Sequence, residues 1–195
     1  MPRRSPSADL AAFARRLPMA VVAAVAIWFV ARPLYNPVLA SATQVVARFY
    51  EWPRAAQILV DGDHAILSRT DLHSESAVLR VSLTQINFNL VPFLALVFAL
   101  PGWWRGRGVK RLFAALAVFF AAHCLGLLWD LKAFYALSLG PWSAANYGTV
   151  LRNLYAGLRY FFEIPVTFTL PLVLWVGSYW DRVLVLTGLQ VEARR

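Results

Sequence analysis

The chain has 195 residues, of which 59% are hydrophobic and only 15% charged. A water-soluble domain carries about a quarter charged residues, so this composition excludes one and points to an integral membrane protein. The formal charge of +9 would suggest nucleic acid for a soluble chain. In a membrane protein, lysines and arginines in short loops orient the spans instead, and no nucleic-acid partner is expected.

Eight Trp, thirteen Phe and seven Tyr add aromatics of the kind that gather at membrane interfaces. The single cysteine, Cys124, lies within an apolar run, which excludes an intrachain disulfide and a thiolate metal cluster. No phosphate-binding glycine loop, His-x-x-x-His pair or internal repeat is present, and no cofactor is expected.

Residues 1–16 form a basic tail, with Arg3, Arg4, Arg15 and Arg16 against Asp9. Crossing the hydrocarbon takes about 20 residues, and the first such run, "LPMAVVAAVAIWFVARPLYNPVLA", covers 17–40. Its basic start and the small residues at 40–42 have the general design of a signal peptide. Arg32, Pro33 and the "YNP" step intervene, however, so an uncleaved span is expected.

Segment 41–86 is the one sizeable polar piece. In "ATQVVARFYEW", Val45, Val46, Phe49 and Trp52 recur at helical spacing and predict a helix lying along the membrane surface. Asp61-Gly62, between "QILV" and "HAILS", predicts a hairpin with a type I′ turn, which wants positive φ at both centre residues. Leu79, Val81, Leu83 and Ile86 roughly alternate with Arg80, Ser82 and Thr84, as in a half-buried strand. A hairpin or three-stranded sheet this small cannot own a sizeable core, so it must pack on the spans or on a partner.

The second predicted span, 87–104, is short and contains Pro92 and Pro101. Residues 105–111 are a basic turn, in which Arg105, Arg107, Lys110 and Arg111 stand with no acid. The third span is 112–131. A connection at 132–159, broken at Gly140-Pro141, leads to the fourth span, 160–180, with Pro165 and Pro171; a tail at 181–195 follows. Proline is tolerated in a spanning helix when neighbours satisfy the freed carbonyls. The fold class is therefore an all-α integral membrane protein, with four transmembrane helices and a small extracytoplasmic sheet between the first two. Cation counts place both termini and the 105–111 turn in the cytoplasm, and 41–86 and 132–159 outside.

Polar residues at the span ends are the candidate sites. Asp130 and Lys132 close the third span, while Arg159 and Glu163 open the fourth. Antiparallel spans bring these ends together, so Asp130–Arg159 or Lys132–Glu163 pairs would offset the cost of charge near lipid. His123 and Cys124 are adjacent, and neighbouring helix positions point about 100° apart, so they form no dyad by themselves. They are read as packing residues. Asp61, Asp63, His64, Asp71, His73 and Glu75 are metal-ligating types, but their spacing fits neither a calcium loop nor a zinc motif, so no metal is expected.

Three stretches taken together, "QINFNLVPFLALVFALPGWW", "KRLFAALAVFFAAHCLGLLWDLKAF" and "FEIPVTFTLPLVLWVGSYWDR", resemble the exosortase H-associated membrane proteins, a family of small bacterial proteins. The likeness covers most of the chain. It implies the bacterial inner membrane and neighbourhood with an exosortase, a transpeptidase-like membrane enzyme that handles carboxyl-terminal sorting tags. It brings no catalytic residues. The expected function is a non-enzymatic accessory that binds an exosortase-like enzyme or its exported substrate. The alternative is an outer-face hydrolase or transferase using Cys124 with a distant His64 or His73, and a transporter subunit ranks third, because His123 alone lies deep in a span.

Overall fold

The computed structural model describes residues 6–51, 54–72 and 78–188. The chain is mostly helical, with one three-stranded antiparallel sheet. Three of its helical stretches are long and apolar enough to cross a membrane. Trp52, His73, Glu75, Arg194 and Arg195 lie outside the described residues.

Helix α1 spans Pro6–Tyr50 and passes Pro18, Pro33 and Pro37 without a break. The sheet follows: β1 (Ala56–Asp61), β2 (His64–Arg69) and β3 (Leu79–Ser82), in the order β1-β2-β3. Then come α2 (Leu83–Asn87), α3 (Leu90–Ala99), α4 (Arg107–Leu137), α5 (Pro141–Asn146) and α6 (Thr149–Phe161). A π-helical turn, Phe162–Val166, joins α6 to α7 (Thr167–Ser178), and α8 (Trp180–Thr187) closes the described chain.

These elements divide into two compact units. One takes the described parts of Met1–Val30, Phe88–Phe119 and Thr169–Arg195. In it α3 is the most enclosed element, with Leu90, Val91, Phe93, Leu94, Ala95, Val97 and Ala99 buried. Phe93 packs on Phe119 with ring centroids 4.9 Å apart, and Trp28 meets Phe88 edge-on at 5.5 Å.

The other unit takes Ala31–Asn87 and Phe120–Phe168. Its core joins Leu39, Ala40 and Ala47 of α1 to Ile58, Ala65 and Leu67 of the sheet, and to Leu127, Leu131 and Phe134 of α4. Two polar side chains of α1 bind β1 directly. Gln44 Oε1 accepts from the Ile58 amide at 2.7 Å, and Arg48 Nε donates to the Ala56 carbonyl at 2.6 Å.

Several boundaries differ from the sequence reading. The predicted surface helix is the last part of α1, and its packing face is not the bulky one. Asn36, Ala40, Thr43 and Ala47, spaced by three or four residues, are buried, whereas Val45 and Phe49 are 69% and 83% exposed. This face packs on the sheet and on α4, where small side chains let neighbouring elements come close and bulky ones would hold them off.

The hairpin turn is shifted by one residue. Asp61 pairs with His64, so the turn centres on Gly62-Asp63. Gly62 has φ +56° and no non-glycine residue among the described residues has positive φ, which is the pattern of a type II′ turn rather than I′. The predicted strand stops at Ser82, where α2 takes over at Leu83. In the predicted span 87–104 the one helix that lies wholly within it is α3, ten residues and about 15 Å long against a hydrocarbon layer of about 30 Å.

Candidate functional site

The candidate residues of the second unit fall into three polar clusters, each joining elements distant in sequence. In the first, Arg159 of α6 holds Asp130 of α4 at 2.9 Å and reaches Glu163 of the π-helical turn at 4.0 Å. Glu163 Oε1 accepts from Gln85 Nε2 of α2 at 3.0 Å. Asp130 is well covered, while Arg159 and Glu163 each keep over a third of their side-chain surface open. The turn that carries Glu163 contains Pro165, whose missing amide cannot continue the α-helical bonding pattern.

Lys132 does not reach Glu163, as one of the two expected pairings required. Its ammonium lies 3.1 Å from Glu51, just beyond the end of α1. One turn of α4 carries a side chain round by a full circle in about 3.6 residues, so Asp130 and Lys132 face directions about 200° apart. They cannot both serve the α6 side. Around Lys132 lies an aromatic wall: the Arg69 guanidinium sits 5.1 Å from the Tyr135 ring centre and 4.7 Å from that of Trp142. Arg69 also forms a two-pronged pair with Asp71, at 2.9 and 2.7 Å. That pair holds the Asp71 carboxyl below the ordinary carboxylate range, and burial raises the Tyr147 hydroxyl above its own.

The third cluster ties α1 to the sheet and to α4. Arg32 pairs with Asp63 in the hairpin turn, and Thr84 Oγ1 donates to the same carboxylate. Asn87 Nδ2 donates to Asn36 Oδ1 at 2.8 Å, with both side chains buried. His123 is buried and its Nδ1 lies 2.6 Å from the Tyr35 hydroxyl. Cys124 is half-buried, with Thr43 of α1 as its polar neighbour.

The described acids of the hairpin region each face a cation. Asp61 lies 3.9 Å from Arg80, Asp63 is held by Arg32, and Asp71 by Arg69. Among the described residues, no three His, Cys, Asp or Glu side chains converge as metal ligands. His64 opens β2 and is exposed.

In the first unit the basic turn 105–111 leads into α4. Arg111 pairs with Asp181 of α8 at 2.5 Å, and the Tyr179 hydroxyl donates to the Gly108 carbonyl at 3.0 Å. Arg105 and Lys110 are exposed.

Sequence reasoning missed Glu51, Gln85, Asn36, Asn87 and Tyr35 as members of these clusters. A signal was present: Arg32, Tyr35 and Asn36 interrupt an otherwise apolar run, and polar groups there need partners. The fold and these clusters define a mostly helical protein with three helices long and apolar enough to cross a membrane, and with polar side chains largely paired among its described elements. No family model, curated protein or solved structure matches the chain.

Proposed function

We propose that this protein is a non-enzymatic accessory of the bacterial inner membrane that binds an exosortase-like enzyme or that enzyme's exported substrate. One observation carries the interaction reading. Helix α1 has 45 residues, about 67 Å of length, more than twice the hydrocarbon thickness of about 30 Å. Even a strong tilt leaves a good part of it beyond lipid. Its far end nevertheless presents Val45, Phe49 and Tyr50 at 69%, 83% and 73% exposure. Bulky apolar side chains outside the bilayer mark a protein contact.

The helical stretch Thr149–Ser178 supports the same reading, since 6% of its most apolar window is buried within the chain. Arg159 and Glu163, part-open on that stretch, supply polar contacts at its border. In this reading α2 and α3 together make the second of four crossings. Both termini and residues 105–111 are cytoplasmic, and the sheet is extracytoplasmic.

A photo-crosslinking side chain at Phe49, compared with one at Val22, tests the interaction in cells. Phe49 should yield an adduct with a protein of the sorting system and Val22 should not. Adduct-free Phe49, together with a chain that purifies alone in mild detergent, would remove the accessory reading.

A further inference from the structure

The basic turn and the start of α8 line an open-mouthed cavity of about 290 Å³. Arg105, Arg107, Arg111 and Arg182 line it, against the single carboxylate of Asp181. That one anion is shared, lying 2.5 Å from Arg111 and 4.0 Å from Arg182. Arg105 and Arg107 have no carboxylate partner among the described residues.

Orientation of the spans accounts for cations near this turn but not for their convergence on one cavity, because loop cations orient a helix in any side-chain arrangement. The cavity is also built rather than loose. Gly102 and Gly106 take φ of +71° and +54°, a region that other residues rarely adopt. A side chain on Gly108 would place its Cβ 2.0 Å from the Trp103 carbonyl oxygen, so the backbone there depends on glycine. Tyr179, buried, ties α8 to the turn through its bond to Gly108.

Planar guanidinium forks match the oxygens of a phosphate and hold it by paired, charge-assisted hydrogen bonds. The volume sits at the lower bound of small-molecule pockets, about 300 Å³, which suits a phosphate with a short polar tail and excludes a dinucleotide. We infer that this cavity binds the phosphate of an anionic phospholipid headgroup or of a small soluble phosphate ester. The inference needs only that the protein is membrane-embedded and does not depend on the accessory role.

The full-length protein would be placed in nanodiscs of phosphatidylcholine and titrated with glycerol 3-phosphate. Tryptophan emission is the readout, with Trp103→Phe identifying the signal from the cavity wall. A second arm compares thermal unfolding in nanodiscs with and without phosphatidylglycerol. The Arg105→Gln/Arg107→Gln variant should weaken the response by roughly tenfold or more, given the strength of such charges toward anionic headgroups. The charge-matched Arg15→Gln/Arg16→Gln variant should leave it unchanged.

A response to glycerol 3-phosphate assigns a soluble ester, and one to phosphatidylglycerol alone assigns the lipid. No response in either arm overturns the inference. Equal weakening by both double variants also overturns it, because the attraction would then be diffuse surface charge. If the Arg105→Gln/Arg107→Gln protein fails to insert, Arg182→Gln, on the other wall and outside the turn, carries the same comparison.

Discussion

Lys132 and Glu51 stand 81 residues apart in the chain and 3.1 Å apart in space, with 5% of the Glu51 side chain exposed. Only one oxygen of that carboxylate is bonded; Oε2 is buried with no hydrogen-bond partner among the described residues. The ammonium of Lys132 is therefore what makes the buried charge tolerable. Removing one member of a desolvated pair costs about 3–5 kcal/mol, because the other is left uncompensated. Lys132→Met should lower the unfolding temperature in detergent sharply, and adding Glu51→Gln should restore much of the loss. A Lys132→Met protein as stable as the parent would show that water reaches Glu51.

The Asp130–Arg159–Glu163 cluster should respond unequally to substitution. Asp130 is the covered member, with 15% of its side chain exposed, whereas Glu163 keeps 35% and a second partner in Gln85. Glu163→Ala should cost about 0–1 kcal/mol, as for pairs that water screens. Asp130→Ala should cost clearly more, and Arg159→Ala added to it should recover part of the difference. Thermal unfolding of the three purified variants gives the ranking, and Glu163→Ala as the most damaging change would reverse the assignment of the buried member.

Acid should weaken the link between Arg69 and Asp71. The Asp71 carboxyl is held below its ordinary range chiefly by hydrogen bonds from Arg69. A group with a lowered folded-state pKa adds stability that is fully present above its unfolded value, about 3.9, and is lost as pH falls through the folded value. Asp71→Asn should therefore be less stable than the parent near neutrality, and the gap should close in acid below about pH 4. The effect is small, about 0–1 kcal/mol, since the pair is partly open to water. A gap that widened on acidification would contradict the stated sign.

Topology hinges on the short helices. If α2 and α3 make a crossing, reporters fused at residues 70 and 107 should fall on opposite faces of the membrane. If they do not, both reporters should read the same face. Replacing Arg105, Arg107, Lys110 and Arg111 together by Gln should then yield mixed orientation of this marginal crossing, measurable with the same fusions. A uniformly oriented quadruple variant would mean that the turn does not steer insertion.

The helical stretches and the hairpin were legible because hydropathy and turn chemistry act locally. The extent of α1 was not, since the change from apolar to more polar sequence after residue 40 read as the end of the span, while the helix runs on unbroken from Pro6 to Tyr50. The face by which α1 packs was not legible either, because its small and polar residues, Ala40, Thr43 and Ala47, carry no hydropathy signal to mark it. Asp130 with Arg159 was one of two pairings the antiparallel spans allowed. The partner of Lys132 was not readable, because it depends on where the end of α1 comes to rest beside α4.

The bonds from Gln44 and Arg48 have a consequence for what the sheet can recruit. They occupy two outward backbone groups of β1, the Ile58 amide and the Ala56 carbonyl. A helix thus seals one border of the sheet against edge-to-edge pairing, a hazard that open strands invite in any crowded compartment. At the opposite border stands β3, four residues long and carrying the exposed Arg80. So brief and charged a strand is a poor template for an added strand, which keeps the sheet from recruiting copies of itself.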